Sequence, residues 1–132
     1  MGAWGPGVFE NDDASDWVWE LEDDTDGAIL AEALGFVVDF PADEQVESPE
    51  SSNALAAAEI IASAQGIRSL GLPTEAVAWL DAHSAAVDDR LRSLALAAVT
   101  RIGADSELKD LWDEAHDPAW AEAVAALQAR LR

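Results

Sequence analysis

Asn53-Ala54-Leu55-Ala56-Ala57-Ala58-Glu59-Ile60-Ile61-Ala62-Ser63-Ala64-Gln65 is the stretch that decides the fold. At 3.6 residues per turn it is apolar on nearly every side, which marks a helix buried all round. Its alanines are strong helix formers and let neighbouring backbones approach closely. Ser48-Pro49-Glu50 opens it, with Pro49 in the first turn where a missing N–H costs little, and Gly66 ends it. A helix of this kind needs a shell of one-sided helices around it.

The flanking sequence supplies that shell. On the N-terminal side, Asn11 caps a first helix, with Asp12 and Asp13 near the positive end of its dipole. Ala14, Trp17, Val18 and Leu21 make one face of it, and Glu22-Asp23-Asp24-Thr25-Asp26-Gly27 breaks it. A second helix runs from about Gly27 to Phe40, carrying Ile29, Leu30, Leu34, Val37 and Val38. Phe36-Val37-Val38 would also suit a strand, but no pairing partner lies nearby. Pro41 to Glu47 reads as an acidic loop, and residues 41–51 are expected to be flexible.

On the C-terminal side, Gly71-Leu72-Pro73 opens a fourth helix with Ala76, Val77 and Leu80 inside and Trp79 beside that face. A fifth carries Val87, Leu91, Leu94, Ala98 and Ile102 and stops at Gly103. Asp105 caps a sixth, and Asp117-Pro118 begins a last one bearing Trp120, Val124, Leu127 and Leu131. Tyrosine is absent and 28 of the 132 residues are alanine, which also favours helix. The expected fold is all-α: an irregular single-domain bundle, residues 1–132, of about six or seven helices around the alanine-rich one.

Charge narrows the function classes. The chain has 27 acidic and 7 basic residues, a net charge of −20, and residues 1–67 hold 16 acids with no lysine or arginine. Such a field repels nucleic-acid phosphates and anionic lipid surfaces, so neither is an expected ligand and a basic protein is the natural partner. With no cysteine, disulfides, thiolate metal sites and cysteine nucleophiles are excluded. No apolar run approaches the ~20 residues of a membrane span, and no signal sequence is evident, so a cytoplasmic protein is expected.

The acids suggest where a partner would sit. Asp12, Asp16 and Glu20 recur at i, i+4 and i+8, and Glu22, Asp23 and Asp24 crowd the negative end of the same helix. Like charges at these places cost about 1–2 kcal/mol together, which a cation or basic partner would relieve. Trp19 stands beside them as an anchor of the type enriched at interfaces. The candidate partner-binding residues are therefore Asp16, Trp19, Glu20, Glu22, Asp23 and Asp24. The Glu22–Ile29 run imitates the start of a calcium loop, with oxygens at positions 1, 3 and 5, Gly27 at 6 and Ile29 at 8. It fails where Leu30 and Ala33 replace the later ligands, so weak divalent-cation binding is the most it supports. No dedicated metal site and no cofactor is expected. His83 and His116 share no zinc spacing, and no serine lies in a Gly-x-Ser-x-Gly elbow.

Two further features are read as structural. Trp4 and Phe9 would plug a groove and pin the glycine-bearing N-terminus. Glu59, inside the most apolar helix, must be paired or protonated, with Arg68, Arg90, Arg92 or the N-terminal loop as partners.

The N-terminal run Gly2-Ala3-Trp4-Gly5-x-Gly7-x-Phe9-x-Asn11-Asp12-x-Ala14-x-Asp16-Trp17 resembles the opening of a bacterial family of small uncharacterised proteins, a domain of unknown function. The Ala54–Ala62 helix, Leu72-Pro73 and the tryptophan-bearing C-terminal helices fit it too. The resemblance implies a compact, helical, non-secreted protein and treats the N-terminal loop, Asn11, Asp12 and Glu59 as one unit. It supplies no activity. The leading expectation is an acidic, non-enzymatic interaction protein, an inhibitor or antagonist of a basic one. The alternatives are a carboxylate- or metal-dependent enzyme using Asn11, Asp12, Asp16 and Glu59, and a structural or homo-oligomeric protein.

Overall fold

The computed structural model describes residues 5, 7–66, 68, 69 and 71–132. Trp4 lies outside them. Among the described residues the chain forms helices α1 (Asp12–Trp17), α2 (Ala28–Asp39), α3 (Ser48–Gln65), α4 (Thr74–His83), α5 (Asp89–Ala104), α6 (Glu107–Glu114) and α7 (Ala119–Leu131), with 3₁₀ turns at Val18–Asp23 and Ser84–Ala86. No strand is present among them; Val46 and Ser106 make one isolated parallel bridge. The all-α expectation holds, and Phe36-Val37-Val38 is helical.

α3 is the axis of the bundle. It packs against each of the other six helices. Leu55, Ile60, Ile61 and the alanines Ala54, Ala56, Ala57, Ala58 and Ala62 are buried. The shell helices behave as one-sided helices should: α2 buries Leu30, Leu34 and Val37, and α7 buries Trp120, Val124, Leu127 and Leu131.

Several boundaries differ from the sequence reading, each for a local reason. The first helix is α-helical only to Trp17 and then tightens into the 3₁₀ turn. Its end lacks any basic residue, so repulsion between the acids and the helix dipole disfavours further α-helical turns. α5 passes through Gly103 to Ala104. Gly103 is there for packing: a Cβ would stand 3.0 Å from Val124 Cγ1, so the glycine lets α7 approach α5. Ser106, not Asp105, caps α6, its Oγ accepting from Lys109 N at 3.1 Å.

The loop after α2 is shorter than residues 41–51, because Ser48–Ser51 already form the first turn of α3. Arg101 of α5 holds it. Its Nη1 donates to Val37 O at 2.9 Å and to Phe40 O, its Nη2 donates to Pro41 O at 2.7 Å and Glu44 O at 3.0 Å, and its guanidinium lies over the Phe40 ring. One cation thus satisfies carbonyls that the end of α2 leaves open.

Candidate functional site

The acids of the N-terminal half do not form one continuous face. Asn11 caps α1 as expected, Oδ1 accepting from Ala14 N at 2.8 Å, and Phe9 is half-buried against the core. Asp12 and Asp16 are exposed on α1. Glu20 leaves their stripe because the 3₁₀ turn stacks i over i+3, which sets it above Trp17 instead. Trp19, 61% exposed, and Glu22 and Asp23 point to solvent from the same turn.

Asp24 does not belong with them. It is only 7% exposed. Its Oδ2 accepts from Gly27 N at 2.9 Å and from Trp79 Nε1 at 2.9 Å, and its Oδ1 accepts from Ile29 N at 3.1 Å. The carboxylate therefore caps the start of α2 and receives the indole N–H of α4. Gly27 completes this turn at φ 82°, a conformation that favours glycine. A partner-binding role for Asp24 is corrected by this geometry, and the calcium-like spacing is the spacing of a helix cap. Among the described residues no group of three or more His, Cys, Asp or Glu side chains could hold a metal ion.

Glu59 is also satisfied from within, and among the described residues its partners are none of those expected. Arg130 of α7 bonds its Oε2 at 2.6 Å, with Ser69 Oγ at 2.8 Å and Ser63 Oγ at 3.2 Å on the same atom. Its side chain is 12% exposed. Of the expected partners, Arg68 pairs with Asp81 at 2.6 Å, and Arg92 with Asp89 at 3.5 Å while donating to Leu131 O. Asn11 donates to Val8 O and accepts from Ala14 N, so among the described residues it shares no hydrogen-bond partner with Glu59.

What the fold does bring together is a groove of about 240 Å³ between α1, its 3₁₀ extension, α2 and α3. Each segment contributes at helical spacing: Trp17 and Glu20; Ile29, Glu32, Ala33 and Phe36; Glu50 and Asn53. Trp17, Ile29, Ala33 and Phe36 form its apolar lining, and Glu20, Glu32 and Glu50 add three carboxylates. Among the described residues none of the three carboxylates is in a salt bridge; the four ion pairs present engage Asp81, Asp89, Asp113 and Glu59. Asn53 Oδ1 is buried and, among the described residues, accepts no hydrogen bond. The groove is thus apolar within and anionic, which is the chemistry that receives a guanidinium or ammonium group on an aliphatic stem.

Of the candidates read from sequence, only Glu20 lines this groove. Glu32, Glu50, Asn53 and Phe36 were missed. The available signal was the Ile29-x-x-Glu32-Ala33-x-x-Phe36 stripe, which lies beside the buried Leu30–Leu34–Val37 face and mixes apolar residues with one acid.

Among the described residues no helix is long and apolar enough to cross a membrane. No curated protein and no solved structure matches the chain. A family match does exist and spans residues 2–123, nearly the whole sequence: the chain belongs to the domain of unknown function DUF4259.

Proposed function

We propose that this protein is a binding module for a basic partner protein, and that the groove between α1, α2 and α3 receives an arginine or lysine side chain of that partner. The observation that carries the reading is the set Glu20, Glu32 and Glu50, unpaired among the described residues, around an apolar lining. The aliphatic stem of the entering side chain packs on Trp17, Ile29 and Phe36, and its charged head meets the carboxylates. The net charge of −20 adds long-range steering, so association is fast at low salt and slows as salt rises. By covering a basic surface the protein would compete with the partner's anionic ligands, which is the action of an antagonist.

An exposed carboxylate–cation pair contributes about 0.2–1 kcal/mol, so three contribute about 0.6–3 kcal/mol, or roughly 3- to 150-fold in affinity. The test is titration of an arginine-rich peptide into the protein by calorimetry at several salt concentrations. Glu20→Gln, Glu32→Gln and Glu50→Gln together should weaken binding within that range. Glu22→Gln, Asp23→Asn and Asp43→Asn together remove the same formal charge away from the groove and should change it far less. Equal losses in the two triple variants would mean that net charge alone does the binding and would sink the proposal.

A further inference from the structure

The groove does not end at Phe36. It continues along the outer face of α2 as an open trough of about 560 Å³, over Ala31, Gly35, Phe36, Asp39, Phe40 and Pro41, and shares Glu32 and Phe36 with the groove. Phe36 is 50% exposed there and stacks against Phe40 with ring centroids 5.6 Å apart. Gly35 lies in the middle of this helix, where glycine is unfavourable. Nothing inside the protein requires it: a Cβ at Gly35 would meet no atom within 4 Å. The other interior helical glycine, Gly103, differs in this respect, since Val124 presses on it.

We infer that the outer face of α2 seats a basic amphipathic helix of the partner, with Gly35 as the point of closest approach. This rests on the reading of the acidic groove and extends it from one side chain to a docked helix. Ala31 and Gly35, at i and i+4, leave a shallow channel that a second helix can enter closely. The channel is acidic at both ends. Its far end carries Asp39, beside the loop that Arg101 holds through the carbonyls of Phe40 and Pro41. Its near end carries Glu32 and opens on Glu20 and Glu50. The bound helix therefore lays its apolar side over Gly35, Phe36 and Phe40, with basic side chains reaching Asp39 at one end and Glu32, Glu20 and Glu50 at the other. A second copy of this chain is a poor occupant, because each copy carries a net charge of −20.

The probe is a synthetic amphipathic helical peptide of leucine and lysine, with an all-lysine peptide of equal charge as its control. Gly35→Trp fills the trough, faces open space in the free protein and should leave its melting temperature within a few degrees of wild type. It should weaken the leucine–lysine peptide by about tenfold or more, the size of loss seen when a central contact is blocked, and leave the all-lysine peptide nearly unaffected. Amide shifts on binding should concentrate in residues 31–41. The inference is overturned if Gly35→Trp binds both peptides as wild type does, if shifts cluster around Trp19 instead, if neither peptide binds at low salt, or if sedimentation shows the trough covered by self-association. Loss of binding in the Glu20, Glu32, Glu50 triple variant, with Gly35→Trp unaffected, would sink the docked helix and leave the groove reading standing. The reverse result would sink the groove reading and, with it, the docked basic helix that rests on it.

Discussion

Removing the Asp24 side chain should cost this protein more stability than removing any other acid of its N-terminal half. Three N–H donors converge on that carboxylate, from Gly27, Ile29 and Trp79, and the residue is buried. Hydrogen bonds to a charged acceptor contribute about 1.5–3 kcal/mol each. Neighbouring bonds are not additive, so Asp24→Ala should cost about 3–5 kcal/mol in total. That is a large part of the 5–15 kcal/mol typical of a domain, and roughly a 10–20 °C fall in melting temperature. Asp24→Asn should cost about 1–3 kcal/mol, because an amide keeps one acceptor but turns an N–H toward at least one donor. Asp23→Ala, at an exposed neighbour, should stay within about 0.5 kcal/mol of wild type. Urea unfolding followed by tryptophan fluorescence and far-ultraviolet circular dichroism measures all three. If Asp24→Ala costs no more than Asp23→Ala, or if it lowers affinity for a basic peptide with stability intact, the carboxylate is a surface group and the reasoning is wrong.

Arg101→Ala should lose about 1.5–3 kcal/mol by freeing the carbonyls of Val37, Phe40, Pro41 and Glu44, and Arg101→Lys should recover little of it, since lysine lacks the planar fork; hydrogen exchange over residues 37–46 checks both. His116 sits at φ 55°, just beyond α6, with its N–H on Asp113 O and that of Asp117 on Trp112 O, so His116→Gly should raise stability by about 1 kcal/mol in urea titrations. Gly35→Ala should also stabilise the free protein, by about 1 kcal/mol, because the added methyl meets nothing and favours the helix. Lys109 is held above the ordinary lysine value by the hydrogen bond and charge of Asp113, 2.5 Å away. Its pairing therefore favours the fold below the ordinary lysine range and is lost as pH rises through the raised value; titration by NMR should show that value falling in Asp113→Asn.

The helices were legible because each is written in its own spacing. Leu30, Leu34 and Val37, or Trp120, Val124, Leu127 and Leu131, mark a buried face without any knowledge of what covers it. Helix ends were less legible. Gly103 looks like a stop until Val124 is seen pressing on it, and Asp105 looks like a cap until Ser106 is seen making the bond. The candidate site was the least legible part. Asp24 and Asp23 are the same residue type, one position apart, yet one caps a buried helix start and the other faces water. Their difference is made by Trp79, 55 residues away along the chain.

By itself the sequence determined the class of fold, the buried alanine-rich axis, the acidic field and the exclusion of cysteine chemistry, because periodicity, propensity and formal charge are properties of near neighbours or of the whole composition. Only the tertiary structure decided which acids are spoken for. It paired Glu59 with Arg130 across 71 positions, turned Asp24 inward, and gathered Glu20, Glu32, Glu50 and Asn53 from three segments around one groove. The physical reason is that the energy of a carboxylate depends on the donors and cations within a few ångströms, and those are set by how helices pack, not by where they fall along the chain.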